Sequence, residues 1–461
     1  MHSKRILATM LFSTLLGTSG FVSAGASQAD IARLGKDLTP TGAEMAANAD
    51  GSIPAWSGGE TAAPAGWTPG KPRHEFWPHI NEKPLYTIDV SNADQYADSL
   101  TVGQIALLKT VPGYRMDVYT SRRSCGFPKT VQERTRTNAA NAATSDNGNK
   151  LEQVIGATVP FPVPATGAEV IWNHKLRYMG EGFKMKFFSF ISPAKGRSDW
   201  IKLYNEWLVT LPFASPEVSS LEEINGLEAG FIYDTVEPAA RIGEKLLYMW
   251  YTNEPTNAWM YFPGQRRVRR LPGYNYDAPI LGNDNTKVVD QFWMFNGALD
   301  RFDWKLVGKK ELIVPYNSFK AYDVNASEES IKNSDMMPRD LVRYEKHRVW
   351  EVEATVKAGT RHIMPKRHYY VDEDSWHILQ VDHFDAKGEI WRSDEAYPIP
   401  TWELQACTSL AHVSHDLKSL RWLVDSTPYA SGVDVDWQYA SNGNLNKSNF
   451  TVGYIRRSSR R

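Results

Sequence analysis

The chain has 461 residues, of which 42% are hydrophobic and 23% are charged. Its 52 basic and 53 acidic residues give a formal net charge of -1, so no overall field draws the protein to nucleic acid or to a membrane surface. The length allows two or three domains or one large β domain.

Residues 1–26 have the layout of a cleavable secretory signal peptide. Lys4 and Arg5 precede the apolar run 6–16, and small residues follow at 24–26. An uncleaved membrane anchor is the alternative, but the run is too short and too interrupted to span ~30 Å of hydrocarbon. Because no cysteine ends this region, we expect no lipid anchor. The prediction is an exported protein that is soluble after signal-peptide cleavage.

Residues 27–150 are predicted to form an N-terminal arm and helices packed on the body of the protein. A short helix is expected at 29–34, and a Pro-rich stretch at 69–84 carries aromatic residues that hold it on the body. Longer helical patterns follow at 102–109 and 130–143.

From residue 161 onward the apolar residues alternate with a period of two, which predicts β-strands. The stretch 349–356 shows this best, because Trp350, Val352 and Ala354 share one face while Glu351 and Glu353 share the other; we expect a buried and a wet face.

Two helices are expected at 290–302 and 404–423. The fold class is therefore α+β and β-rich, with a β-sheet domain over 151–403 and a C-terminal helix and strap over 404–461. The strands are predicted at 170–176, 187–191, 201–211, 245–251, 259–262, 268–271, 305–314, 349–356, 378–384 and 389–397.

The chain contains two cysteines, Cys125 and Cys407. In an exported protein one long-range disulfide between them is a natural interpretation, because disulfides persist outside the cytoplasm. Two buried thiols are the alternative, and the sequence leaves both open.

No motif in the sequence carries a recognisable catalytic, metal or cofactor site. Neither Gly-x-Ser-x-Gly nor Gly-x-Gly-x-x-Gly occurs, and the histidine pairs lack the ligand spacing of zinc sites. The acidic pair Asp372 and Asp374 lies in a predicted turn, where solvated carboxylates are common. We therefore expect a protein that is not an enzyme and that uses no cofactor or metal.

The most concentrated charge lies in the segment 265–271. It holds Arg266, Arg267, Arg269 and Arg270, which alternate on the two sides of a predicted strand. A solvated hairpin explains this pattern. The alternative is a site for anionic head groups or an acidic partner, because guanidinium groups match phosphate and carboxylate.

The segments 259–270 and 369–397 resemble the LolA/LolB-type lipoprotein-carrier superfamily. A strand that ends at Pro263 runs into basic residues, and later hairpins read Tyr-Tyr-Val-Asp from Tyr369 and Phe-Asp-x-x-Gly from Phe384. With the segment 50–59 added, nearly the whole mature chain is similar to a large periplasmic family of Gram-negative bacteria known only as a domain of unknown function.

This resemblance implies a strongly curved, incompletely closed antiparallel sheet, a LolA/LolB-like half-barrel wrapped over helices, with an apolar cavity for a lipid or acyl chain. It also implies a periplasmic location and a link to membrane exporters of the resistance-nodulation-division class and to outer-membrane proteins. The family has no assigned catalytic residues. The long N-terminal arm and C-terminal strap depart from the small carriers, which argues against simple lipoprotein carriage.

The leading hypothesis is a periplasmic carrier or accessory protein that binds a hydrophobic ligand, such as a lipid, acyl chain or lipoprotein-like cargo, in envelope transport or export. The alternatives are a non-enzymatic partner-binding module of an export complex, which would use the four arginines, and a hydrolase built on His347, His377 or His383. The candidate ligand-lining residues, each of which also fits a plain core, are Trp172, Trp207, Trp250, Trp259, Trp293, Trp350 and Trp376.

Overall fold

The structure is a computed structural model that describes residues 25–459. The predicted signal peptide therefore lies outside the described residues, except for its last two positions. Across 25–459, no helix combines the length and the apolar character needed to cross a membrane.

Most of the regular structure is β-sheet, as the period-two pattern predicts. The strands are β1 (Tyr86–Ile88), β2 (Met116–Val118), β3 (Thr144–Ser145), β4 (Lys150–Leu151), β5 (Gly182–Ile191), β6 (Ile201–Thr210), β7 (Leu227–Glu237), β8 (Lys245–Tyr251), β9 (Asn257–Phe262), β10 (Arg267–Arg270), β11 (Phe302–Pro315), β12 (Tyr344–Val356), β13 (Lys366–Asp372), β14 (Ile378–Phe384), β15 (Ile390–Ala396), β16 (Ile399–Thr401), β17 (Ala406–Thr408), β18 (His412–Asp416) and β19 (Arg421–Thr427).

The helices are few and short. They are α1 (Gln28–Ile31), α2 (Arg73–Phe76), α3 (Val102–Thr110), α4 (Lys129–Ala139), α5 (Gly167–Lys175), α6 (Glu329–Lys332) and α7 (Val452–Ser458). The predicted helices at 102–109 and 130–143 are confirmed as α3 and α4. A capping box starts α3, because the Thr101 hydroxyl accepts a hydrogen bond from the Gln104 amide and the Gln104 side chain accepts one from the Thr101 amide.

One 15-stranded sheet forms the body of the molecule, in the order β1-β2-β12-β13-β14-β15-β18-β19-β5-β6-β7-β8-β9-β10, with β11 paired to β12. Its ladders are antiparallel apart from one parallel bridge between Tyr344 and Val118. Within 25–459 the end strands β1 and β10 do not pair with each other, so the curved sheet stays open. The predicted β-rich fold with an incompletely closed sheet is confirmed.

The face of the sheet that carries Tyr369, Val381, Leu423 and Trp207 is continuous through the strand registers, and we call it the inner face. Helix α5 packs on this face against β11 and β12. Gly167 allows the close approach, since an added Cβ would lie 2.9 Å from the Lys305 carbonyl carbon. Helix α3 packs on the opposite face against β14 and β15.

The strand predicted at 170–176 is wrong, because this segment is helix α5. All nine of its residues are buried, so its polar side chains do not mark a solvent face. Asn173, for example, donates to the Phe161 carbonyl and accepts from the Phe161 amide. Such buried polar residues imitate the alternation of a half-exposed strand.

The helix predicted at 404–423 is also wrong, because the segment folds as strands β17 and β18 and the start of β19. Pairing of β17 with β16 and of β18 with β15 overrides the local helical pattern. The helix predicted at 290–302 is replaced by short 3-10 turns at Val289–Met294 and Leu299–Arg301. Trp293 has φ 52°, which interrupts any continuous helix there.

The predicted wet face of β12 is correct only near its end. Thr355 is exposed, whereas Glu351 is buried. The Glu351 carboxylate lies 2.7 Å from the Lys310 ammonium and 2.8 Å from Nδ1 of His368. Ion pairing with neighbouring strands therefore allows a carboxylate to be buried where alternation predicted a solvated one.

Candidate ligand-binding cleft

A cavity lined by six aromatic side chains lies between the inner face of β5–β9 and the loop 271–296, which we call the covering loop. Its volume is about 70 Å³, which leaves room for roughly five waters at ~10–15 Å³ each. The sheet contributes Phe187, Ser189, Leu203, Asn205, Trp207, Tyr233, Thr235, Leu246, Tyr248, Met260 and Asp425. The 3-10 turn between β7 and β8 contributes Arg241, and the covering loop contributes Tyr274, Ile280, Leu281, Asn283, Val289 and Phe292.

Strand register brings the sheet side of this cleft together. Trp207 pairs with Tyr233, Tyr233 pairs with Leu246, and Leu246 pairs with Met260. Because side chains directly opposite one another in an antiparallel ladder share a face, these residues form one row across four strands. The alternation of each strand therefore places its large apolar side chains under the covering loop.

Aromatic packing makes this wall of the cleft rigid. The Trp207 ring lies 4.1 Å from Phe187, 5.0 Å from Tyr233 and 5.3 Å from Phe292 between ring centroids. Tilted and edge-to-face contacts of this kind add to the free energy gained by burial. Phe292 belongs to the covering loop, so the same contacts join the loop to the sheet.

Buried polar contacts fix the covering loop to the inner face at three points. Lys287 donates to the Asp425 carboxylate at 2.6 Å and also contacts His412. Asp290 lies 3.0 Å from both Arg367 and His362. The Gln291 amide donates to Asp394 at 2.9 Å.

These loop contacts hold ionised carboxylates. Burial alone raises the pKa of Asp425, but the Lys287 ammonium and His412 bring that pKa well below its usual range. Burial opposes ionisation of Asp290 as well, yet Arg367 and His362 lower the pKa of this carboxyl. The loop is therefore held closed by charged pairs in a low-dielectric interior.

The structure brings together only some of the tryptophans selected from the sequence. Trp207 lines the cleft. Trp250 and Trp293 pack in the same aromatic cluster, 4.6 Å and 5.1 Å from Phe231 between ring centroids, but behind the lining. Trp259 lies on the opposite face of the sheet, in the apolar cluster that includes Ile455 of α7.

The remaining three tryptophans belong to the core around α5, away from the cleft. Trp172 donates to the Gly148 carbonyl at 2.8 Å, and Trp376 donates to the Thr41 carbonyl at 3.1 Å. Trp350 is stacked 6.4 Å from Trp376 between ring centroids. The sequence analysis did not select two other lining residues, Tyr233 and Tyr248. Tyr248 lies on the predicted strand 245–251, whereas Tyr233 lies on β7, which was not predicted as a strand. The covering loop shows no local signal of its position.

The three histidines considered for a hydrolase occupy separate surroundings. His377 contacts the Cys407 carbonyl at 3.1 Å, and His383 lies 2.8 Å from Asp394. His347 stacks on Tyr316 at 3.7 Å between ring centroids and lies 3.2 Å from Glu345. They do not form one catalytic cluster.

His347 also lies near Asp372 and Asp374, and potential ligand atoms of the three residues are within 4.8 Å of one another. Arg123 donates to both Asp374 oxygens, at 2.6 Å and 2.9 Å, so a guanidinium already supplies positive charge to this group. The arrangement is that of a buried ion pair between segments distant in sequence.

The four arginines of the 265–271 segment lie on the hairpin of β9 and β10, which we call the arginine hairpin. All four are exposed, and none has a carboxylate within 4.0 Å among the described residues. Arg269 donates to Gln265 and Arg270 to Asn257, each at 2.6 Å. Strand β10 is an end strand of the sheet, so the hairpin is accessible to a partner.

Cys125 and Cys407 form a disulfide, which confirms the bridged alternative over two free thiols. The bridge joins the segment before α4 to β17. Both cysteines are buried in a small apolar cluster with Leu312, Tyr316 and Leu379.

A second cavity of about 380 Å³ lies beside α4 and is bounded by 151–155 and 219–222. It is roomier than the cleft, but nine of its 13 lining residues are polar, Asn138, Asn141 and Asn253 among them, and none is aromatic. It therefore suits solvent better than a lipophile.

Comparison with known proteins gives the following similarities. The uncharacterized protein PA3922 of Pseudomonas aeruginosa is 38% identical over 456 residues, which cover 97% of this chain and 96% of that protein. An outer membrane lipoprotein-sorting protein domain from Vibrio parahaemolyticus has 12% identity and a TM-score of 0.41, covering 62% of this chain and 97% of that one. A DUF1329 family protein from Desulfovibrio piger has 14% identity and a TM-score of 0.37, covering 60% and 92%.

The LolA superfamily protein NE2245 from Nitrosomonas europaea has 12% identity and a TM-score of 0.35, covering 63% of this chain and 99% of that one. The family described as "Protein of unknown function (DUF1329)" matches residues 87–456. This match confirms the predicted membership in a domain-of-unknown-function family. The chain belongs to the DUF1329 family.

Proposed function

We propose that this protein is a non-enzymatic periplasmic carrier or accessory protein that binds a hydrophobic ligand, such as a lipid or acyl chain, in the cleft under the covering loop. The observation that carries the proposal is a row of large apolar side chains on one sheet face, facing a loop that ion pairs hold in place. Ligand sites in proteins are concave and mostly apolar, with a few placed polar groups, and the cleft has this composition.

The cleft is too small to hold a chain-like ligand while the covering loop is in place. Ligand pockets are typically ~300–1,000 Å³, whereas the cleft holds about 70 Å³. A chain-like ligand therefore requires the covering loop to move away from the inner face. The structure has the geometry expected of a closed form, in which the aromatic wall and the loop side chains pack on each other.

A periplasmic location accords with the predicted signal peptide and with the disulfide between Cys125 and Cys407. In that compartment, a carrier would move its ligand between the membranes, in envelope transport or export. Aromatic burial of the ligand supplies the favourable free energy, and reclosure of the loop retains the ligand.

The test is ligand binding by the purified full-length mature protein. We expect mass spectrometry of an organic extract to reveal co-purified lipophile, and fluorescent fatty acids to bind. Asn205→Trp, which fills the cleft from β6, should weaken binding at least tenfold. Lys186→Trp, on the opposite face of β5, should leave binding unchanged. Protein that is free of lipophile and ignores the probes contradicts the proposal.

The arginine hairpin favours a second function, docking on an envelope partner such as an exporter of the resistance-nodulation-division class or an outer-membrane protein. Exposed guanidinium groups without carboxylate neighbours suit an acidic partner face. Changing all four arginines to glutamine should abolish co-purification with the exporter and leave ligand binding intact. The control changes the exposed Lys36 and Lys387 to glutamine. Unaltered co-purification of the arginine variant rejects this function.

A further inference from the structure

We infer that the cleft selects lipophiles carrying an uncharged hydrogen-bond acceptor, the carbonyl of an ester or amide, over free carboxylates and plain hydrocarbons. The inference rests on the proposed function and specifies the chemical class of the ligand. It follows from three buried donors carried by residues that line the cleft and from the charges already present there.

Three polar groups of the cleft lining have no hydrogen-bond partner. They are the indole Nε1 of Trp207, the hydroxyl of Tyr248 and the side-chain Nδ2 of Asn283. Their residues are only 0%, 3% and 2% exposed. Because buried polar groups in folded proteins are almost always paired, three orphans around one cavity indicate a missing partner.

All three orphan groups are donors. An indole N–H and an amide NH₂ can only donate. Burial raises the pKa of Tyr248 well above its ordinary value, so its hydroxyl keeps its proton at neutral pH and can donate as well. A ligand that satisfies them must therefore present an acceptor.

The charges of the cleft exclude a carboxylate as that acceptor. The Lys287 ammonium is already bonded to Asp425 at 2.6 Å, and the Arg241 guanidinium is bonded to Glu244 at 2.7 Å. Each of these cations already neutralises a carboxylate, so an added buried anion would have no counter-charge of its own, and Asp425 would repel it. Burial of an unpaired charge is strongly unfavourable, whereas a carbonyl needs only the donors that the cleft offers.

The donors come from two sides of the cleft, the sheet and the covering loop. Trp207 and Tyr248 lie on β6 and β8, while Asn283 lies on the covering loop. A carbonyl that bonds to both sides would hold the loop closed. A hydrocarbon of equal length would make the same apolar contacts but leave the donors unpaired.

The experiment compares three probes of equal chain length, methyl decanoate, decanoate and decane, by titration of intrinsic tryptophan fluorescence at pH 7.5. We expect wild-type protein to bind methyl decanoate at least tenfold more tightly than the other two. Tyr248→Phe combined with Asn283→Leu should weaken methyl decanoate binding until its preference over decane is lost. Tyr261→Phe, on the opposite face of β9, is the control and should keep the preference.

A spectroscopic readout on the wild-type protein does not depend on the variants folding. Infrared spectroscopy of bound methyl decanoate should show the ester carbonyl stretch shifted to lower frequency than in hexane, because the carbonyl accepts hydrogen bonds. An unshifted stretch, equal affinity for the three probes or a preference for decanoate overturns the inference and leaves the proposed carrier function standing. Failure of the wild-type protein to bind any probe overturns both.

Discussion

The ammonium of Lys287 lies 2.6 Å from the carboxylate of Asp425 and links the covering loop to strand β19 in the interior of the protein. The Lys287 side chain is 0% exposed and that of Asp425 8% exposed. A buried ion pair gains little net free energy, but removal of one partner leaves an uncompensated charge. This pair is one of the three buried polar contacts that fix the covering loop to the inner face.

We predict that Lys287→Met destabilises the protein by about 3–5 kcal/mol, because Asp425 then remains buried without its cation. The double variant Lys287→Met/Asp425→Leu should recover most of this loss, since it removes both charges. The free energies of unfolding of the two variants and the wild type, measured in urea, give the interaction free energy between Lys287 and Asp425. A double variant as unstable as the single one would refute the interpretation.

Asp382 should make the protein less stable as the pH rises. The Asp382 carboxyl is 0% exposed, and burial raises its pKa to about 6 despite hydrogen bonds from the Gly103 amide at 3.0 Å and the Thr101 hydroxyl at 3.1 Å. In the unfolded chain the pKa is ~3.9, so the unfolded state releases its proton first. Stability is then lost between about pH 4 and pH 6.

Asp382→Asn should remove this dependence, which amounts to about 3 kcal/mol at 1.36 kcal/mol for each pH unit. The free energy of unfolding of both proteins, measured at pH 4, 5, 6 and 7, gives the difference curve. We expect the stability of wild type relative to the variant to fall by that amount and then to level off. Parallel curves would show that Asp382 ionises normally.

His415 should make the protein less stable as the pH falls. The residue is 3% exposed, neither ring nitrogen has a hydrogen-bond partner, and burial, with a contribution from Arg339, lowers its pKa to about 3. The unfolded chain takes up a proton near pH ~6.5, so stability is lost as the pH falls below that value. At pH 5 the loss is about 2 kcal/mol.

His415→Phe removes this titration and fits an aromatic site, since the ring stacks 6.2 Å from Trp422 between centroids. The variant should therefore gain about 2 kcal/mol more stability relative to wild type at pH 5 than at pH 8. Guanidinium unfolding at the two pH values measures the gain. An equal effect at both values would contradict a neutral His415.

Loss of the disulfide should destabilise the protein strongly, because the bridge joins residues 282 positions apart. The chain-entropy model gives about 5 kcal/mol for a loop of this size. The variant Cys125→Ala/Cys407→Ala should show this loss in unfolding experiments. Addition of a reducing agent should destabilise wild type and leave the variant unchanged; an equal response of the two proteins would show that reduction acts elsewhere.

Local patterns of the sequence predict nine of the 19 strands that the structure describes. Alternation identifies β5, β6 and β8 to β12, and the Asp-Ala-Lys-Gly turn identifies the hairpin of β14 and β15, whereas β7 (Leu227–Glu237) is not among the predicted strands. The same rule fails for α5, because a helix buried on every side has no polar face to reveal its period. It fails again at 404–423, where pairing with distant strands decides the conformation.

At the candidate site, too, the sequence predicts some features and only the fold decides others. Aromatic alternation predicts that one sheet face is rich in large rings, and Trp207 is among the residues selected on that basis. Trp172 and Trp376 have the same residue type but fill the core around α5. The identity of a tryptophan does not reveal which side of a folded sheet is covered by which loop, so the lining cannot be separated from the core without the fold.

The sequence by itself determined the β-rich fold class and the apolar faces of nine strands, because side-chain periodicity and turn chemistry act over a few residues. It left the pairing of the two cysteines open, and the structure decided it. Only the tertiary structure decided where the cleft lies. It depends on the pairing of β19 with β5 and on buried contacts of Lys287, Asp290 and Gln291, which join segments far apart in the chain. Such contacts form through packing and charge pairing in the folded interior, and no local pattern encodes them.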